Sequence, residues 1–315
     1  MIIVMSPVPS ISYEYNINEL LTNKEVDATS INHYVYSKGI HSARTIKILQ
    51  DEPLVLSALG GISGKTIKHQ LDKFKIKADI VWTDVNTPQK IRLYEVTSKN
   101  NYLINTLPEN LRPRDFSSLT LKLKSHIKKI STMIISDEFN GTSDYDIGEL
   151  YKQWSIEAKK NNVKVIFSTG KLCNLKKICT TKPYCLVFTQ NQLIELGYDI
   201  SSREQIVSQL LPLTKEGIHY IAIYLRDQSS IIIAKNKCYM INYIGSINNE
   251  LTNYFGGVFL GSFAIGINRK YEIEKIGKLS LSAAISATSN ANEPIITRKS
   301  IESLSSKTKV TLINI

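Results

Sequence analysis

The chain has 315 residues, 43% of them hydrophobic and 21% charged, enough apolar material for one large domain or two small ones with a full core. No run approaches the ~18 apolar residues of a membrane span, and Met1 to Met5 lacks a basic n-region, so neither a membrane helix nor a signal peptide is expected and the chain reads as cytoplasmic. The formal charge of +11 invites a nucleic-acid reading. The lysines are dispersed, however, and the densest group (Lys122, Lys124, Lys128, Lys129) falls on one amphipathic helix, which favours a solvated basic surface over a nucleic-acid groove.

In chain order, a strand is expected from residue 2. A period-two stretch then places Ile11, Tyr13, Tyr15 and Ile17 on one face and Ser12, Glu14 and Asn16 on the other. His33 to Tyr36, Ile91 to Val96 and Tyr102 to Ile104 behave similarly, so these tyrosine-rich segments predict a small half-buried sheet beside the main body. A strand at Leu54 to Leu59 precedes a helix at Lys65 to Phe74, and a helix at Leu119 to Lys129 precedes a strand at Thr132 to Ser136. The helix Asp144 to Lys160 runs into the strand Val163 to Ser168, and the strand Tyr184 to Phe188 feeds a helix from Gln190 to Leu196. A helix at Glu204 to Lys215, a strand at His219 to Leu225 and a hairpin through Ile231 to Ile233 and Cys238 to Tyr243 follow. Helices at 252–267 and 273–289 and an edge strand at Val310 to Ile315 close the chain. Such alternation indicates an α/β, doubly wound, mostly parallel sheet flanked by helices. One domain over 1–315 is expected, with lid strands at about 10–38 and 87–105.

The four cysteines form no C-x-x-C pair and no two histidines stand four apart, so no metal site is expected. Gly60-Gly61-Ile62-Ser63-Gly64-Lys65-Thr66 follows a strand and opens a helix, as a P-loop does. Only three residues separate Gly60 from Gly64, where a P-loop needs four, so a tight strand-to-helix turn is expected instead. Glycine is scarce, 15 of 315 or roughly 5% against a usual ~7%.

Read in order, Ser6 to Tyr13 (SPVPSISY), Tyr36 to Arg44 (YSKGIHSAR), Leu59 to Gly64, Pro183 to Leu193 and Asn249 to Thr252 with Gly257 and Gly261 beyond it resemble landmarks of the PfkB (ribokinase-like) carbohydrate kinases, in the 1-phosphofructokinase and tagatose-6-phosphate kinase branch. The resemblance spans nearly the whole chain. It implies a ribokinase-like fold with a small β-sheet lid, a sugar phosphate as ligand, Mg-ATP as cofactor if the protein is active, and a homodimer joined through the lid strands.

The departures fall at the positions to which the resemblance assigns chemistry. Its G-A-G-D segment carries the aspartate that takes the proton from the sugar hydroxyl; here that place holds Thr252, whose hydroxyl is no base near neutral pH, with Glu250 as a weak alternative. Losing a positioned base costs roughly 10²–10⁴ in rate, and each missing electrostatic donor roughly 10²–10³ more. The magnesium-side N-x-x-E reads Thr189-Gln190-Asn191-Gln192, and the nucleotide turn reads Arg226-Asp227-Gln228-Ser229 without glycine, leaving Arg226 and Ser229 at degenerate nucleotide positions. At the sugar, the aspartate place is read as Ser12 and the asparagine place as His41, while Lys38, Gly39 and Lys90 keep an anion-binding character. The expectation is an impaired or inactive kinase homologue retained for sugar-phosphate binding or regulation. The alternative is an active ATP-dependent kinase for fructose-1-phosphate or tagatose-6-phosphate, using Glu250 as a displaced base.

Overall fold

The computed structural model describes residues 1–106, 111–138, 146–235, 237–245, 254–287 and 296–314. The main sheet has ten strands: β1 (Ile2–Met5), β4 (Pro53–Leu59), β5 (Lys77–Trp82), β8 (Thr132–Ser136), β9 (Lys164–Ser168), β10 (Cys185–Thr189), β11 (Tyr220–Tyr224), β12 (Ser229–Ala234), β13 (Lys237–Tyr243) and β14 (Thr308–Asn314). Their order is β14-β13-β12-β11-β10-β9-β8-β1-β4-β5. The strands from β5 to β11 run parallel, and β12, β13 and β14 add an antiparallel flank with β14 at the edge. A strand covered on both faces must be apolar on both sides, which is why the central strands read as unbroken runs such as Ile2-Ile3-Val4-Met5.

A second sheet, ordered β3-β2-β6-β7, is built from β2 (Ser10–Ile17), β3 (Ala28–Tyr36), β6 (Gln89–Glu95) and β7 (Asn101–Asn105). Its registers align Ile31, Tyr15, Leu93 and Tyr102 in one row and His33, Tyr13, Ile91 and Ile104 in the next, all on one face. The opposite face carries Lys90 and Tyr36 over the main body.

Helices α1 (Lys38–Ile48), α2 (Gly61–Lys73), α8 (Phe255–Asn268), α9 (Ile273–Ser286) and α10 (Arg298–Ser306) supply one core, where Ile46, Leu71, Phe259, Leu281 and Ile301 are buried. Helices α3 (Pro113–His126), α4 (Ile147–Lys160), α5 (Leu172–Cys179), α6 (Gln190–Glu195) and α7 (Arg203–Lys215) supply the other, around Phe116, Trp154, Leu175, Leu193 and Leu210. The turn at Gly60 and Gly61 is tight: a Cβ on Gly60 would stand 1.9 Å from the Val85 carbonyl oxygen, and Gly61 has φ +63. No helix among the described residues is long and apolar enough to cross a membrane.

The elements α1, α5, α10 and β5 are additions to the expected set. For α1 the reason is packing against α8: Ser42 Oγ donates to the Gly257 carbonyl at 3.0 Å, and a Cβ on Gly261 would lie 2.5 Å from the Ser42 carbonyl oxygen. Its buried face therefore contains Gly39, Ser42, Ala43 and Thr45, which give no apolar stripe to read.

Candidate functional site

The chain runs from β1 through the small sheet to β4 and β5 on one side of the main sheet, then returns through β8, β9 and β10 on the other. The strand order thus reverses beside β1, and a crevice forms at the carboxyl ends of the strands at such a point. A cleft of about 540 Å³ lies there. Its walls are the ends of β8 (Asp137, Glu138), β9 (Gly170, Lys171), β10 (Thr189) and β11 (Tyr224, Arg226), the first turns of α1 and α8, and Ser10, Tyr36 and Lys90 from the small sheet.

Lys38 opens α1, whose N-cap is Ser37 with its side chain accepting from the Ile40 N–H. The Lys38 stem crosses the start of α8, its Cε 3.1 Å from where a Cβ on Gly256 would stand. Burial pushes the ammonium pKa down to about 8, against the opposing attraction of Glu138, Glu195 and Asp137. Beside it, Lys90 Nζ lies 3.7 Å from the centre of the Tyr36 ring.

Among the described residues, three carboxylates line the cleft. Asp137 accepts from Tyr151 Oη (3.2 Å), Thr169 Oγ1 (2.6 Å) and Asn174 Nδ2 (2.7 Å). Glu138 accepts at Oε1 from the Gly39 N–H (2.8 Å) and Ser136 Oγ (3.0 Å), and at Oε2 from Ser6 Oγ (3.3 Å). Burial raises its pKa in spite of these donors and of Lys38. Glu195 lies over Gly170, where a Cβ would come within 1.9 Å of Oε2, and it has no hydrogen-bond partner among the described residues.

The other end of the cleft is polar and largely self-satisfied. Thr189 caps α6 and is paired with Gln192, while the Arg226 guanidinium grips Asn191 Oδ1 at 2.6 and 3.0 Å. The Tyr224 hydroxyl is buried with no partner among the described residues, and its ring packs against Phe255 at 5.4 Å and Phe259 at 5.7 Å.

Of the residues singled out from sequence, Lys38, His41, Lys90 and Arg226 come together on this cleft, with Gly39 packed beneath it against Ser6. His41 is buried, meets Tyr254 edge-on at 4.7 Å, and is held neutral because burial, then Arg44, lowers its pKa to about 3. Ser12 is buried in the small sheet, and Ser10, two residues earlier, is the serine that lines the cleft. Ser229 is also buried, bonded to Asp227 (2.5 Å) and Arg203 (3.2 Å), and does not reach the cleft wall. Thr252 and Glu250 lie outside the described residues. Sequence reading missed Asp137, Glu138, Glu195 and Tyr224; the position of each just after a parallel strand, or one turn into α6, was the available signal. Among the described residues no group of three or more His, Cys, Asp or Glu could hold a metal ion.

No family model matches the chain. It is 23% identical over 296 residues to a 1-phosphofructokinase of Borreliella burgdorferi, covering 93% of each chain. It is 20% identical over 313 residues to a 1-phosphofructokinase of Bacillus subtilis, covering 99% of each. Among solved structures, phosphofructokinase-2 of Escherichia coli in complex with substrates and products superposes with a TM-score of 0.83 at 15% identity, covering 97% of this chain and 98% of the other. The fold is ribokinase-like.

Proposed function

Starting from the PfkB carbohydrate kinase family, 1-phosphofructokinase branch, which the whole-length matches support, we propose that this chain binds a sugar phosphate in the cleft and transfers phosphoryl groups poorly or not at all. One observation carries the reading: the first turn of α8 presents Phe255 and Gly256 to the cleft, and the stem of Lys38 fills the space beside Gly256. Among the described residues no carboxylate stands at that turn. Two of the three cleft carboxylates, Asp137 and Glu138, already accept several hydrogen bonds. A base must reach the proton it removes.

Lys38 and Lys90 give the cleft the positive charge an anionic ligand needs, as point charges without the fork of an arginine. At the nucleotide end, Arg226 and Asn191 hold each other where a glycine turn would expose N–H groups. A second reading, an active Mg-ATP-dependent kinase for fructose-1-phosphate or tagatose-6-phosphate, is favoured by Glu195, a cleft carboxylate with no hydrogen-bond partner among the described residues. Glu250 is the other candidate base. The small sheet is proposed to join two copies of a cytoplasmic protein through the face bearing Ile31 and Ile104, which are 60% and 50% exposed.

Calorimetric titration with Mg-ATP and with each sugar phosphate, beside a phosphoryl-transfer assay, tests these readings. Sugar-phosphate binding without turnover is expected. Turnover with micromolar nucleotide binding would sink the impaired-kinase reading. Rescue by Thr252→Asp would show that only the base is lost.

A further inference from the structure

We propose that Lys38 is a reactive amine that forms an imine with the carbonyl carbon of a phosphorylated aldehyde or ketone bound in the cleft. The proposal rests on the reading above for the phosphate, and on Lys38 itself for the chemistry. Lys38 lines the cleft, and its ammonium has no hydrogen-bond or ion-pair partner among the described residues. The neighbouring cations are engaged: Lys90 lies on the Tyr36 ring and Arg226 on Asn191.

The amine is also fixed in place. Lys38 is the first residue of α1, and its Cδ and Cε run along Gly256 at 3.7 and 3.1 Å from the position of a missing Cβ, so glycine there leaves the channel the stem occupies. Ordering a free lysine side chain costs conformational entropy, a cost this packing has met before a ligand arrives. The charged groups around it come from several elements: Asp137 and Glu138 after β8, Lys171 after β9, Glu195 on α6, Arg226 after β11 and Lys90 on β6. The carboxylates stand outside contact range yet act on the ammonium, and burial still leaves its pKa at about 8. A desolvated lysine of this kind is the usual nucleophile toward carbonyl groups.

The step balances without a co-reactant. The nitrogen lone pair bonds to the carbonyl carbon, and the C=O π pair moves to oxygen, which takes a proton. The nitrogen gives up its protons as water leaves, so amine plus carbonyl yields imine plus water. Glu195, whose carboxylate has no hydrogen-bond partner among the described residues, can relay the protons through a water.

The test treats the intact protein at pH 8 with pyridoxal 5′-phosphate, and separately with pyridoxal, then with borohydride, and maps labelled lysines by peptide mass spectrometry. Lys38 is expected to label at least ten-fold faster than the other lysines, rising through about pH 8, where ordinary lysines respond only near 10.5. Competition by fructose-1-phosphate and a preference for the phosphorylated reagent are expected too. Equal labelling of Lys38 by both reagents would uphold the amine and remove the phosphate reading. Labelling of Lys38 no faster than that of surface lysines such as Lys24 or Lys299 would overturn the proposal. Mapping on the native chain needs no variant that must fold.

Discussion

The main-chain N–H of Gly39 donates to Glu138 Oε1 at 2.8 Å, so a carboxylate from the end of β8 closes the N-terminus of α1. Helix N-termini attract anions through exposed N–H groups and the helix dipole. Here the chain supplies its own anion, next to the ammonium of Lys38. The cleft is therefore a balanced set of charges before any ligand enters it.

Glu138→Gln tests that balance by pH. Burial raises the Glu138 pKa above its ordinary 4.5, so its contribution to stability is complete below about 4.5 and is lost as pH rises through the folded value. The glutamine variant lacks this loss. Its urea midpoint relative to the native protein should climb between pH 4 and 7; a constant difference would show that Glu138 titrates as an ordinary surface carboxyl.

Lys38→Met should act in the opposite pH range. The folded pKa is lowered from 10.5 to about 8, so the native lysine's contribution is complete above 10.5 and is lost as pH falls through 8. The variant should be more stable than the native protein at pH 7, with the advantage shrinking between pH 8 and 10.5. Thermal melts across that range measure it, and an advantage that does not change with pH would count against a desolvated ammonium.

His41 is expected to stay neutral at ordinary pH. Its pKa is lowered from 6.5 to about 3, so the stability it confers holds above 6.5 and fades as pH falls toward 3. The ring proton shift of His41 in NMR spectra should be flat from pH 5 to 8. A titration centred near 6.5 would mean the ring is hydrated rather than packed on Tyr254.

Gly261→Ala should destabilise by about 1–3 kcal/mol, the usual penalty for overpacking a tight contact. The added methyl would meet the Ser42 main chain, with Ser42 O at 2.5 Å and Ser42 Cα at 2.9 Å, where no flexible side chain can give way. Chemical denaturation reads the loss; a change under 0.5 kcal/mol would show that α1 and α8 separate easily.

Ile104→Glu on the outer face of the small sheet should convert a dimer to a monomer in light scattering, because it places a charge at the β7 end of the row His33, Tyr13, Ile91 and Ile104, on the face proposed to meet the second copy. A native protein that is already monomeric at 50 μM would remove the dimer proposal directly.

The alternation of tyrosine and isoleucine in β2 and β6, and the unbroken apolar runs of β1, β8 and β11, were legible in the chain because strand periodicity and two-sided burial leave their mark on neighbouring residues. Helix α1 was not, since the small and polar residues Gly39, Ser42, Ala43 and Thr45, set by the closeness of α8, interrupt the apolar Ile40 and Ile46 on its buried face. The same holds for β5, an edge strand that begins with Lys77 and Asp79.

The site divides in the same way. The sequence by itself marked Lys38, His41, Lys90 and Arg226 as candidates through their places among ordered landmarks, because landmarks in order survive loss of the residues between them. Only the tertiary structure decided that Asp137, Glu138 and Glu195 share one cleft with them, that Ser10 faces it while Ser12 is buried, and that Gly256 makes room for the Lys38 stem. Asp137 after β8 and Glu195 at the end of α6 stand 58 residues apart (137 to 195), and a parallel sheet brings such places together by crossover helices that leave no local signature. The chain by itself marked Glu250 and Thr252 as departures just before α8, and only the fold showed that a lysine from another helix fills the space beside Gly256.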